Sequence, residues 1–522
     1  MKKRSYGYPI LVLILLLSIL GAALVFYATA WGPWAFSDSA AYLSCAKNYN
    51  AGLGIAMTSE GGTIRPLSLF PPGYPFALSR LSILAGDSIL AARILDTICF
   101  GLLIFLISWG TLVLSENLLI ALASGLLVLA APVMLENFTG LMSEPLFIFL
   151  FYGSFFFTHL SIQKQKDHWF VFAMLFTALA PLVRYIGVML CVINPLMLLL
   201  FCTCPWKKKL RKAVLLVCTS LLPIGIWFIL SMQQSHTFGG RSLLFPAEVG
   251  QKLLTFLKES FAILRSWIPY LGYRMALIPD GTKVRIVLGA LSALFILDLF
   301  FYLKKRKSAQ TGILPRLMFS AMLYSVLYMI VLAVGCVFAS ITPILNSRLF
   351  APLWPAFVFL IVYGGAFFLE QMPLPWKKIF TIAFLVMMLV TLRFYALRSW
   401  ANAQDSHENG YGFTSREIQT SGFLQAVEDL PDDIPLIAND PALVLFYTNR
   451  MPYELKPIPN YRLGDGNSAN DVLFSSQNVA LIVDYASLRN TYSDWKVRLE
   501  TLTGGLDVSF QDEIGGIYYF PK

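Results

Sequence analysis

Histidine is scarce in this chain: His159, His168, His236 and His407 are the only four. They are far apart in sequence, and no imidazole-based metal motif can be read from them. The seven cysteines show no paired spacing, most lie in apolar segments, and none follows residue 400. That excludes a disulfide framework, and Cys202 with Cys204 offers too few ligands for a metal site. Charged residues make up only 13% of the chain, and the long apolar stretches hold almost none. A carrier of charged solutes keeps ionisable groups at mid-membrane and often has two related halves. Here Asp96, three residues after Arg93, reads as a helix-surface pair. Asp298 lies beside a basic cluster, and no internal repeat is visible.

What the chain does have is apolar surface, 57% of its residues, far more than a soluble fold can hide. A span needs about 20 apolar residues. By that rule about eleven spans lie near 9–30, 90–114, 117–134, 145–163, 168–183, 186–204, 213–231, 284–303, 313–336, 349–370 and 378–398. The pair around 168–204 is interrupted by Pro181 and Arg184, so one member reads as short or re-entrant. The first span is too long for the apolar core of a signal peptide and reads as retained. Basic clusters at Lys2-Lys3-Arg4, Lys164/Lys166, Lys207 to Lys212, Lys304 to Lys307 and Lys377-Lys378 all fall on the N-terminal side, which the positive-inside rule makes cytoplasmic. The loops 31–88, 135–144, 232–283 and 337–348 and everything after about 399 are then outside.

Charge also divides the chain lengthwise. From residue 400 onward there are 8 Lys+Arg and 17 Asp+Glu, against 32 and 13 before it. The net charge of +10 is therefore a topology signal and does not point to nucleic acid. The acidic tail, 400–522, reads as a soluble α/β domain. "TSREIQTSGFLQAVEDL" predicts a helix capped by Thr414 or Ser415, "IPLIAND" a strand, and "PALVLFYTN" a helix with Pro441 in its first turn. "NVALIVDYA" predicts a buried strand, "SDWKVRLETL" a helix, and "DVSFQDEIGGIYYF" a terminal hairpin. The tail reads equally as a structural cap or as a module that recognises an acceptor.

Polar residues of the membrane part gather in the outer loops, where the acids are Asp38, Glu60, Asp87, Glu136, Glu144, Glu248, Glu259 and Asp280. Asp38 precedes Tyr42, Cys45/Ala46 and Tyr49, the apolar face of a helix lying on the membrane. The local pattern alone makes Asp38 a helix cap. Glu144, in "TGLMSEPLF", opens the fourth span. "LFPPGYPF" (69–76) is a rigid turn, in which Gly73 supplies freedom. "GLGIAMTSEGG" reads as a flexible loop, and "EVGQKLLTFLKESFAILRSW" as an amphipathic helix over the outer face.

In order, "DSAAYLSCAKNYNAGLG", "PPGYP", "MSEPLF", "RYIG" and "NSRLFAPLWP" resemble the GT-C superfamily of membrane glycosyltransferases, most nearly its protein O-mannosyltransferase and aminoarabinose-transferase branch. The similarity covers most of residues 1–400 as layout, carried by short motifs. It implies a polytopic helical enzyme that moves a sugar, with inversion, from a polyprenyl-phosphate donor to a lipid, glycan or protein acceptor outside the inner or plasma membrane. Asp38 matches the loop acid that acts as general base, and Glu144 is a second acid if the two loops meet. Arg184 and Arg348 are the candidates to hold the donor phosphate, with Arg65 and Lys47 in reserve. Tyr42, Tyr74 and Tyr185, within the matching stretches, would line the substrate pocket. Members often carry a second acid directly after the loop aspartate. Here that residue is Ser39, which weakens any metal-binding pair; no cofactor is implied, and a divalent metal is left open but not favoured. The rival reading is a lipid-linked-sugar flippase, which needs a polar path through the spans and no catalytic acid.

Overall fold

A computed structural model describes residues 8–235, 248–268, 313–338, 345–455 and 479–519, and the fold is mostly helical. The first helix, α1 (Tyr8–Ala28), leads into the short α2 (Ser37–Asn50). A small hairpin follows, β1 (Ala56–Thr58) with β2 (Ile64–Pro66), its register pairing Met57 with Arg65. The segment expected to be a loose glycine-rich loop is therefore partly strand. Next come α3 (Gly73–Ala85), α4 (Ser88–Ser115), α5 (Leu118–Leu129), α6 (Pro132–Phe138) and α7 (Glu144–Lys164). Asp87 caps α4 through the Leu90 amide at 2.6 Å, and Asn117 caps α5 through Leu119 and Ile120. Pro132 then starts α6 at 59° to α5.

Helix α8 (Asp167–Val183) ends where the sequence predicts a break. Arg184 is extended, a 3-10 turn covers Tyr185–Met189, and α9 (Leu190–Phe201) continues beyond it. The remaining membrane-part helices are α10 (Trp206–Ser235), α11 (Val249–Ser266), α12 (Ile313–Phe338), α13 (Ser347–Phe350), α14 (Trp354–Gln371) and α15 (Leu374–Asn409). Among the described residues seven helical stretches are long and apolar enough to cross a membrane: α1, α4, α7, α10, α12, α13 with α14, and α15. The bent α5–α6 pair would make an eighth, and α8 and α9 are shorter apolar helices. The chain is a multi-pass membrane protein. The predicted span 284–303, with Asp280, Asp298 and His236, lies outside the described residues.

Burial orders these helices. In its most apolar window α7 is 83% buried, whereas α15 is 6% buried. The centre therefore belongs to α7, whose Phe147, Phe151, Tyr152, Phe155 and Phe156 are all fully enclosed. Edge-to-face contacts join Phe155 to Tyr324 and Tyr152 to Phe359, an arrangement worth more than area burial alone. The exposed apolar faces of α1 and α15 suit lipid contact.

Helix α2 departs from its prediction: Ser39 through Ala46 are all buried. It does not lie half-exposed on a membrane surface, because α3, β1 and the C-terminal region pack around it. That region holds α16 (Arg416–Gln419), α17 (Gly422–Glu428), β3 (Leu436–Ala438), α18 (Pro441–Thr448), β4 (Tyr453–Glu454), β5 (Ala480–Asp484), α19 (Tyr485–Thr491), α20 (Trp495–Thr503), β6 (Asp507–Gln511) and β7 (Gly515–Tyr519). Five strands form one mixed sheet in the order β4-β3-β5-β7-β6, parallel through β5 and antiparallel after it. The single helix expected over 414–430 is two, because Ser421 accepts the Leu424 amide and starts a second cap. The boundary predicted at 399 falls inside α15, which runs ten residues further.

Candidate active site

The site begins with a tie between two loops. The Trp34 amide donates to the Thr139 carbonyl at 2.8 Å, and the Leu141 amide returns a bond to Trp34 at 2.9 Å. The Trp34 ring lies against Gly140, where an added Cβ would come within 2.3 Å of it, so a glycine is needed there for steric reasons. This bridge sets the start of α2 beside the start of α7. The two loops meet, and Asp38 and Glu144 arrive in one place.

Asp38 does not act as a cap. The Phe36 amide at the start of α2 donates to Ser39 Oγ at 3.1 Å, leaving the Asp38 carboxylate to face Arg348 Nη2 at 3.4 Å. The Ser39 that departs from the family pattern thus takes over the capping. Arg348 sits on α13, a single turn capped by Asn346 through the Leu349 amide. Its Nε lies 3.0 Å from Glu144 Oε1. The same oxygen receives Arg184 Nη1 at 2.6 Å. Arg184 reaches it because α8 stops at Val183 and releases the next residue into an extended conformation. Arg184 also donates to Ser143 Oγ at 3.1 Å, and Tyr42 Oη lies 3.3 Å from that hydroxyl.

The two acids are in different environments. The Glu144 side chain is 2% exposed and that of Asp38 is 36% exposed. Glu144 is engaged by two guanidinium groups, Arg184 and Arg348. Asp38 has one long contact and open space before it. Burial, and then the nearby Glu144 carboxylate, push the Tyr42 phenol above its usual range, so it stays a neutral hydrogen-bonding group.

The remaining sequence candidates have separate places. The buried Tyr74 ring stands edge-on to Tyr42 at 5.0 Å, and its hydroxyl has no hydrogen-bond partner among the described residues. Tyr185 stacks on Phe228 at 5.3 Å, donates to the Ser68 carbonyl at 3.3 Å and accepts from Trp227 Nε1. Lys47 is not near the arginine pair. Its Nζ donates to the Phe446 and Tyr447 carbonyls at 3.2 and 3.3 Å, at the C-terminal end of α18, where a cation is favoured. It secures the C-terminal region to α2. Arg65 is exposed on β2 and makes no ion pair with a described residue. Arg93 donates to the Phe26 carbonyl at 2.8 Å and lies over the Phe26 ring, so it is not paired with Asp96, which is wholly buried. Among the described residues no group of three His, Cys, Asp or Glu side chains is placed to hold a metal ion.

In front of Asp38 and Arg348 opens a cavity of about 760 Å³, which also reaches Trp34, Phe36, Asn137, Asn402, Asp405 and Tyr411. The last three were missed in the sequence because they lie past the predicted boundary, in the last turns of α15 and just after it. Ser143 was missed as well, although it stands within the quoted "MSEPLF" motif and touches Tyr42, Arg184 and Glu144.

No family model and no curated protein sequence matches the chain. Solved structures do. ArnT from Cupriavidus metallidurans, bound to undecaprenyl phosphate, is similar with a TM-score of 0.58 at 13% identity, over 97% of this chain and 98% of that one. The arabinofuranosyltransferase AftD from mycobacteria gives 0.51 at 14% identity, over 99% of this chain and 42% of its own. The archaeal oligosaccharyltransferase AglB from Archaeoglobus fulgidus, in complex with an inhibitory peptide and a dolichol phosphate, gives 0.50 at 12% identity over 100% and 75%. With most of its length superposing on three such enzymes, the chain has the fold of the GT-C membrane glycosyltransferases.

Proposed function

We propose that this protein is an integral membrane glycosyltransferase that takes a sugar from a polyprenyl-phosphate donor and transfers it, with inversion, to an acceptor hydroxyl or amine on the outer face of the inner or plasma membrane. The N-terminus is then cytoplasmic and the C-terminal region external, in keeping with the basic clusters. The observation that carries the reading is the division of labour between the two acids. A half-exposed carboxylate faces a cavity, and a buried one behind it fixes two arginines.

Asp38 takes the acceptor proton as the acceptor atom forms its bond to the anomeric carbon. The bond from that carbon to the phosphate oxygen breaks, and polyprenyl phosphate leaves with the electron pair. Arg348 and Arg184 stabilise the charge that develops on the phosphate, and fixed donors need no reorganisation at that moment. Glu144 is a positioning residue for both. The long Asp38–Arg348 contact is the one a phosphate would replace, freeing Asp38 to act as base. Guanidinium groups suit this role through their planar, forked donors.

The test is transfer by Asp38→Asn, in membranes supplied with a panel of polyprenyl-phosphate sugars. A loss of about a hundredfold or more, with donor binding kept, is the expected outcome. Full activity in this variant would remove Asp38 from the mechanism. A wild-type protein that binds the donor and never transfers its sugar would favour a flippase instead.

A further inference from the structure

We propose that the turn 410–415, between α15 and α16, is a positioning element for Asp38, and that Thr414 is its central residue. The inference rests on the transferase reading above and gives the C-terminal region a part in turnover. Among the described residues the Asp38 carboxylate has one ion pair, with Arg348 Nη2, and that contact is long at 3.4 Å. A general base must stand within hydrogen-bond reach of the proton it takes. The side chain is held too loosely to guarantee this, so the place of Asp38 is set by the backbone that leads into α2, the stretch 31–36.

That stretch is gripped from opposite sides. On one side is the bridge from Trp34 to Gly140. On the other, Ala35 pairs in parallel with Gly412, and the Phe413 amide donates to the Ala35 carbonyl at 2.8 Å. The stretch is thus the middle of three extended segments, and the turn 410–415 supplies the third. Gly412 has a φ of +66°, and a Cβ there would come 2.3 Å from the Ala35 carbonyl oxygen. Glycine alone permits both the conformation and the approach. Two side chains complete the grip. Thr414, wholly buried, donates from Oγ1 to the Pro33 carbonyl at 2.8 Å. Gln419 Nε2 ties the Trp31 carbonyl, at 2.5 Å, to the Thr414 carbonyl, at 2.9 Å.

The turn is fixed in its own place by α18. Tyr447 donates from its hydroxyl to the Phe413 carbonyl at 2.7 Å. The end of the same helix receives Lys47, and Asn449 just beyond it donates to Asn48 Oδ1 at 3.1 Å. One short helix therefore fastens both the approach to α2 and its last turn. Arg348 and Arg184 are held by other means. Asn346 caps α13, and both guanidinium groups are tied to Glu144. Loosening the turn thus moves the base and leaves the arginine pair where it is, so turnover and donor binding come apart.

The test compares Thr414→Val, Thr414→Ser and Gln419→Met with wild type, all as full-length protein. In membranes supplied with the panel of polyprenyl-phosphate sugars, Thr414→Val lowers kcat by about tenfold or more, because small misplacements of a reacting group are that costly. The KM for the donor does not change, and bare undecaprenyl phosphate binds as tightly as to wild type. Thr414→Ser keeps the hydroxyl and restores turnover. Amide hydrogen exchange over 34–41 speeds up in Thr414→Val and Gln419→Met, while exchange in β5 and β7 stays as in wild type. Wild-type turnover in Thr414→Val overturns the inference. So does a Thr414→Ser protein as impaired as Thr414→Val, or a loss of undecaprenyl phosphate affinity that matches the loss of turnover. Exchange is read without turnover. A wild type that transfers nothing sinks the transferase reading, and faster exchange over 34–41 in Thr414→Val then still supports the hold on Asp38. Unchanged exchange there overturns that hold whatever the activity.

Discussion

Replacing Glu144 by glutamine keeps the shape of the side chain and removes its charge. One oxygen of this 2%-exposed group meets Arg184 at 2.6 Å and Arg348 at 3.0 Å. Without the charge, two guanidinium groups share a buried corner, balanced only by the partly exposed Asp38. Breaking a buried pair from one side costs about 3–5 kcal/mol. Two like charges about 6 Å apart at an effective dielectric near 20 repel by about 3 kcal/mol, which is the same order. The Asp38 pair, 36% exposed on the acid side at 3.4 Å, is worth about 1 kcal/mol or less. Thermal unfolding in detergent should therefore show a fall of several degrees for Glu144→Gln and almost none for Asp38→Asn, whereas both variants lose transfer. Neutralising the partner as well, in Glu144→Gln with Arg184→Gln, should return part of the lost stability, as coupled groups do in a double-mutant cycle. A Glu144→Gln protein that unfolds at the wild-type temperature would refute the clamp.

Other parts of the structure give independent expectations. Lys47→Met should speed hydrogen exchange in α18 and lower stability by about 1–3 kcal/mol, with undecaprenyl phosphate affinity unchanged. A drop in that affinity would instead return Lys47 to the phosphate site. Gly73→Ala should destabilise by about 1–3 kcal/mol through overpacking, because its Cβ would lie 2.6 Å from the Leu182 carbonyl oxygen. A wild-type melting temperature would show that the α3–α8 contact gives way freely. In the C-terminal sheet, burial pushes the Asp484 carboxyl up from 3.8 to about 6, against the Ser487 and Ala486 amides that favour its charge. Folding thus disfavours the ionised form, so this group's stabilisation is greatest below its unfolded value and is lost as pH rises through about 6. Asp484→Asn should remove that slope, and its melting temperature relative to wild type should rise between pH 4 and pH 7. A constant offset would count against it.

Much of the layout was legible in the sequence, because lipid imposes a length and an apolar content on every span. The interruption at Pro181 and Arg184, the Pro441 helix and the terminal hairpin were readable for the same local reason: proline, turn residues and alternation act over a few positions. Asp38, Glu144, Arg184 and Arg348 could be picked out as charges within short motifs, and the resemblance implied a base, a second acid and two phosphate ligands. How they meet could not be read. The local pattern makes Asp38 a cap, and only the bridge between Trp34 and Gly140, with Ser39 accepting the Phe36 amide, sets it facing Arg348 beside Glu144. Lys47, a reserve candidate for the phosphate, meets α18, 399 residues away in the chain. Composition and periodicity determined that this is a helical membrane protein with its polar chemistry at one end. Which carboxylate is held and which is free depended on contacts between distant segments. Those contacts set burial and ion pairing, and no local pattern carries that information.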